Sequence, residues 1–249
     1  MTARARLLII NPNTTEMMTT KVVDAARVVL PETVDIVAAT GRFGPRYIAS
    51  RASYAVASHA ALDAFAEHGA GCNAALLACF GDPGLDALRE ASPVPVISLI
   101  DAACAEAAGD GRRFTIITGG ERWGPMLTEM LAARGLGRHL ASIRTVAPTG
   151  GEIAANPAAA HVLLIEACRS AIEDDGAEAV ILGGAGLLGI AGAIQGKVAV
   201  PVICSVQAGL SATALALDAG NGAAAAPGTD RVPSIGLSPH LERLFLNGR

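Results

Sequence analysis

Eight short apolar runs, each closing on polar or turn-forming residues, narrow the folds open to this chain more than any other feature. They are RLLIINPN, VDIVAAT, AALLACFGDPG, PVPVISL, RFTIITGG, SIRTVAPTG, EAVILGGAG and VPVICSV. As a set they lack the sustained alternation of a sheet with one wet face. Between them lie Ala-, Leu- and Glu-rich segments of helical length, such as ASYAVASHAALDAFAEHGA and NPAAAHVLLIEACRSAIEDDGA. Buried strands separated by helices predict an α/β protein whose parallel sheets are covered on both faces. In such sheets a ligand sits beyond the carboxyl ends of the strands.

The order of the pieces repeats. Asn11 and Cys79 end strands 68 positions apart, and Thr118 and Gly184 end strands 66 apart. Pro95 then follows Cys79 by 16, and Pro201 follows Gly184 by 17. A self-similar spacing is the trace of a duplicated unit. It predicts two pseudo-symmetric lobes, one from residues 1–98 and 206–249 and the other from 99–205, with Cys79 and Gly184 as twins across one cleft.

Composition bounds the partners. Net charge is −4 with no basic stripe, which argues against nucleic acid. Five cysteines, Cys72, Cys79, Cys104, Cys168 and Cys204, form no CxxC pair and stand near no histidine at ligand spacing, so neither a disulfide framework nor a metal site is expected. The apolar run before Asn11 is too short for a signal peptide. AVILGGAGLLGIAGAI falls short of a membrane span, and Pro201, Ser205, Gln207 and Gly209 divide the longer run after it. These readings predict a cytoplasmic protein with reduced thiols. With 51% hydrophobic residues, a homo-oligomer is also expected. DAGNGAAAAPGTDRVP reads as a flexible connection before a short tail.

LLIINPNTTEMMT, GPRYIASRASY, LACFGDPGLDALRE, PVISLIDAACAEA, RFTIIT and AEAVILGGAG, in this order from about Leu7 to Leu217, resemble the hydantoin racemase branch of the aspartate/glutamate racemase superfamily. The resemblance implies two α/β lobes with the active site between them and no cofactor. It also implies two cysteines, one taking an α-proton while the other delivers a proton to the opposite face. Cys79 matches the first. The second is expected in a Gly-Cys-Ala-Gly motif, and here LGGAG puts Gly184 in its place. Arylmalonate decarboxylase, a relative in that superfamily, also has one cysteine and one glycine, with the thiol in the second lobe.

The chemistry explains why such residues would be wanted. A proton beside a carbonyl is weakly acidic, so the enolate oxygen must be held and a base placed against the carbon. Backbone N–H groups at strand-to-helix turns meet the first need. We assign it to Phe80, Gly81, Ala185 and Gly186, helped by the side chains of Asn13 and Thr118. Cys79 meets the second, and a helix N-terminus there would lower its pKa toward neutrality. Asn13 serves equally well as a cap for the following helix. Cys204, ending the next strand, is the candidate second-face thiol, whereas Cys72, Cys104 and Cys168 read as packing residues.

The expected activity is therefore that of a cofactor-independent isomerase acting at the α-carbon of a small carboxylate, amide or hydantoin-like substrate. One thiol facing a glycine also suits a stereoselective decarboxylase or a maleate-isomerase-like enzyme. A ligand-binding protein without turnover is a third reading. Gly184, Gly186 and Gly189 spell GxGxxG after a strand, the shape of a dinucleotide fingerprint, but no acidic residue follows until Asp218.

Overall fold

The fold was taken from a computed structural model that describes residues 4–147, 149–220 and 233–246. Positions 221–232, which make up most of the expected flexible connection, lie outside the described residues.

All eight apolar runs form strands. The first half runs β1 (Ala5–Asn11), α1 (Glu16–Val29), β2 (Val34–Thr40), α2 (Arg51–His68), β3 (Ala74–Leu77), α3 (Leu85–Ala91) and β4 (Val96–Ser98). The second runs α4 (Leu99–Ala107), β5 (Phe114–Gly119), α5 (Trp123–Ala133), β6 (Leu140–Val146), α6 (Gly150–Ala155), α7 (Pro157–Asp175), β7 (Ala179–Gly183), α8 (Ile190–Ile194) and β8 (Val202–Cys204). Then follow α9 (Ser205–Asp218) and α10 (Pro239–Leu246).

The strands make two four-stranded parallel sheets, ordered β2-β1-β3-β4 and β6-β5-β7-β8. The described residues divide into two compact units. One takes those of Met1–Ile48, Ala52–Ser98 and Leu210–Arg249, and the other those of Ala49–Arg51 and Leu99–Gly209.

The apolar runs become strands because both of their faces are covered. Leu7, Leu8, Ile9 and Ile10 have no exposed surface, and neither do Ala74, Ala75, Leu76 and Leu77 beside them. Burying each large aliphatic side chain contributes about 1.5–3 kcal/mol, which offsets the ordering cost of a short central strand. In the second sheet Phe114, Ile116, Ile117, Val180 and Ile181 are buried as completely. The helices start and stop on local chemistry. Thr149 and Glu152 form a reciprocal capping box at α6, and Pro31 follows the extended C-cap Leu30 of α1.

Register shows the duplication directly. Ile10 of β1 pairs with Leu77 of β3, and Leu77 with Ser98 of β4. In the second sheet Ile117 pairs with Leu182, and Leu182 with Cys204. Leu77 and Leu182 are therefore equivalent, and so are Ser98 and Cys204. Cys79 and Gly184 each stand two residues further on. Among the described residues, no helix is long and apolar enough to cross a membrane.

Candidate active site

The carboxyl edge of the first sheet collects Asn11, Asn13, Cys79 and Ser98. β3 ends at Leu77, and a tight turn follows in which Cys79 N–H donates to the Leu77 carbonyl at 2.9 Å and Asp82 N–H to the Cys79 carbonyl at 2.9 Å. Pro83 and Gly84 then lead into α3, with Gly84 in the left-handed conformation (φ 80°). A Cβ at Gly84 would meet the Ser58 carbonyl oxygen at 3.0 Å. Glycine thus solves a conformational and a steric problem at once.

This geometry corrects the expected electrostatics of the thiol. α3 starts at Leu85, six residues beyond Cys79, so no helix N-terminus lowers the thiol's pKa. Burial instead pushes Cys79 up to about 12, opposed by a hydrogen bond from the Gly81 backbone and reinforced by the charge of Asp82. Cys79 is a thiol at neutral pH. The Gly81 N–H, assigned from sequence to a substrate oxygen, meets the Cys79 sulfur instead.

Among the five cysteines Cys79 alone keeps partial exposure; Cys72, Cys104, Cys168 and Cys204 are buried. The Cys204 sulfur, proposed from sequence as a second-face thiol, takes hydrogen bonds from the backbone of Gln207, Val206 and Gly189, and its burial pushes the thiol up.

The other expected site residues fall at the same carboxyl edges. Asn13 accepts at Oδ1 from Thr15 N–H (2.8 Å) and from Asn11 Nδ2 (3.2 Å), so it caps the entry to α1 and keeps its own Nδ2 as a donor. The buried Thr118 hydroxyl donates to the Gly183 carbonyl at 2.8 Å, which commits its proton within the second sheet. Among the described residues, the N–H groups of Phe80, Ala185 and Gly186 donate to no protein acceptor. They remain available to an oxyanion.

Gly184 repeats the Cys79 turn. Leu187 N–H donates to the Gly184 carbonyl at 3.0 Å, as Asp82 does to Cys79. Gly184 N–H donates to the fully buried Ser205 at Oγ (3.1 Å). The two turns differ in backbone: Gly184 has φ 125°, a conformation that residues with a side chain rarely adopt.

Sequence reasoning missed Asn11 and Ser98 as site residues and favoured a helix-cap or turn role for Asp82 over a direct catalytic one. Asn11 is 1% exposed, and its Nδ2 reaches Asn13 Oδ1, the Thr15 carbonyl (3.2 Å) and Thr19 Oγ1 (3.0 Å). Ser98 Oγ donates to Asp82 Oδ2 through a short hydrogen bond, and Tyr54 Oη donates to the Asp82 carbonyl at 3.2 Å. The available signal was a lone polar residue closing each apolar strand, Asn11 in β1 and Ser98 in β4. Among the described residues no three His, Cys, Asp or Glu side chains gather into a set able to hold a metal.

A family model described as Asp/Glu/Hydantoin racemase matches residues 7–213. The hydantoin racemase of Paenarthrobacter aurescens is 34% identical over 207 residues, covering 82% of this chain and 87% of that protein. Among solved structures, allantoin racemase from Pseudomonas fluorescens superposes with a TM-score of 0.82 at 28% identity, over 86% of this chain and 91% of that one. Allantoin racemase from Klebsiella pneumoniae gives 0.79 at 30% identity, over 86% and 88%. Sequence, strand order and duplicated register agree: the chain belongs to the Asp/Glu/hydantoin racemase family.

Proposed function

We propose that this protein is a carbon-acid enzyme acting on a hydantoin-like cyclic ureide, with Cys79 as its thiol acid/base. The observation that carries this reading is that Cys79, alone of five cysteines, keeps solvent access, and does so at the carboxyl edge of a parallel sheet. The relatives named for hydantoin and allantoin supply the substrate class. The Cys79 thiol first gives up its proton to water; the ring C–H beside the carbonyl then breaks, its proton passes to the Cys79 thiolate, and the electron pair moves onto the carbonyl oxygen. The Phe80 N–H, on the same turn as the thiol and without a protein acceptor among the described residues, suits that oxyanion. Gly184 has no acidic side chain, so this reading leaves return of the proton with inversion to water.

Proton NMR in D₂O with enantiopure 5-substituted hydantoins and with allantoin, beside Cys79→Ser, tests the reading. Deuterium is expected at the ring carbon with wild type and not with Cys79→Ser. Exchange that survives Cys79→Ser would overturn it.

A second reading is favoured by the high pKa of the thiol together with Gly184. A group held protonated is suited to deliver a proton, as in decarboxylation of a malonate. There the C–C bond breaks to release CO₂, the electron pair forms an enediolate, and the Cys79 proton goes to carbon. Water then reprotonates the sulfur. Malonates that lose CO₂ to give one α-deuterated enantiomer, while hydantoins stay inert, would select this reading.

A further inference from the structure

Asp82 is the fully buried carboxylate beside the candidate thiol, and neither reaction above assigns it a task. Its backbone and its carboxylate are both held. Its N–H closes the turn on the Cys79 carbonyl (2.9 Å), its Oδ2 accepts the short hydrogen bond from Ser98 Oγ, and its carbonyl accepts from Tyr54 Oη (3.2 Å). Its backbone lies at φ 46°, in the left-handed region that residues with a side chain seldom adopt. At the twin station the second unit closes the corresponding hydrogen bond with the N–H of the apolar Leu187, also buried. That hydrogen bond alone therefore needs no carboxylate. The acid is present only where the thiol is.

We infer that Asp82 is a positioning residue for Cys79: anchored by Ser98, it pins the turn that carries the thiol and keeps a negative charge beside the sulfur. The inference rests on the reading of Cys79 as the working thiol. A carboxylate next to a thiol disfavours the thiolate, because the two like charges repel in a poorly solvated site. It thereby keeps Cys79 loaded with a proton, and it raises the basicity of the thiolate once formed. Among the described residues, Asp82 is the charge that acts on the Cys79 sulfur. Asp63 of α2 is held by Arg42 and Ser238, His59 packs edge-on to Phe43, and Arg89 of α3 donates to the Val96 carbonyl. Tyr54 of α2 reaches the Asp82 carbonyl, and β4 brings the uncharged Ser98.

The test is the pH profile of iodoacetamide alkylation at Cys79, followed by mass spectrometry without substrate, with Cys79→Ser as the blank. Asp82→Asn keeps size and hydrogen-bonding capacity, and asparagine tolerates a left-handed backbone. Its profile should move to lower pH, with alkylation at pH 8 faster by about 3- to 10-fold. Ser98→Ala, which removes the anchor and lets the carboxyl take up a proton more readily, should move the profile the same way by less. It serves alone if Asp82→Asn does not fold. Folded variants whose profiles coincide with wild type would overturn the inference. Because the readout uses no substrate, such a result leaves the D₂O exchange assay free to support Cys79 chemistry. Conversely, a shifted profile with no exchange on any substrate would sink the functional reading and uphold the electrostatic one.

Discussion

Cys79 and Gly184 occupy the same station in two copies of one sheet, each two residues past the strand position that pairs with the end of its neighbour, Leu77 with Ser98 and Leu182 with Cys204. Each also opens the same turn, closed by the N–H of the residue three further on. The duplication thus left one station with a proton-bearing side chain and the other without. A carbon acid worked on by one thiol exchanges its proton more often than it inverts, since return of the proton from the same sulfur restores the starting enantiomer. Deuterium incorporation should therefore outrun loss of optical rotation when both are followed on one enantiopure hydantoin. Equal rates would reveal a second acid.

The entry to α1 separates structure from binding. Asn11 is buried with its carboxamide nitrogen on three acceptors, so Asn11→Ala strands those partners and should lower stability by about 2–3 kcal/mol. Asn13→Ala removes one cap on Thr15 N–H and should cost only about 1 kcal/mol. It also removes the Nδ2 donor. Urea unfolding measures the first effect, and KM against kcat in the exchange assay measures the second. KM is expected to rise in Asn13→Ala, and an unchanged KM would confine Asn13 to capping.

The strands were legible because burial on both faces writes itself as uninterrupted apolar residues, as in LLII and AALL. The twin stations were legible because duplication preserves spacing. The state of the thiol was not. Cys79 looked like a helix-capping cysteine because CFGDPG reads as a strand-to-helix turn, but Pro83 and Gly84 hold α3 off until Leu85. Asp82 looked like an ordinary turn residue, since sequence does not show that its carboxylate turns inward onto Ser98, 16 positions away. Thr118 and Gly81 carry the right groups, yet their protons are already engaged, at the Gly183 carbonyl and the Cys79 sulfur. Side-chain partners across strands are set by packing, which no local pattern encodes.

Buried thiols also set the alkaline limit of the fold. Burial pushes Cys168, which has no exposed surface, up to about 11 from an ordinary value of 9.0. Between those values the unfolded chain has released a proton that the native state keeps, so stability falls as pH rises through that window. Cys168→Ala removes the contribution. It should be less stable than wild type at pH 7.5 because of the cavity, but lose less on going to pH 10. Urea midpoints in reductant at the two pH values check this, and equal losses in both proteins would contradict it.

Restoring a thiol at the empty station is limited by backbone rather than by space. A Cβ on Gly184 would meet Leu187 Cδ1 at an ordinary 3.6 Å, but φ 125° is a conformation that side chains resist. Gly184→Ala and Gly184→Cys should therefore lose similar stability, of order 1–3 kcal/mol each, unless the turn relaxes. Comparing the two cancels that strain and leaves the sulfur. If this station takes part in the chemistry, Gly184→Cys should bring the rate of inversion up toward the rate of exchange, while Gly184→Ala leaves the gap open. A folded Gly184→Cys protein whose ratio of inversion to exchange matches that of Gly184→Ala would show that the second station has lost its part in the chemistry.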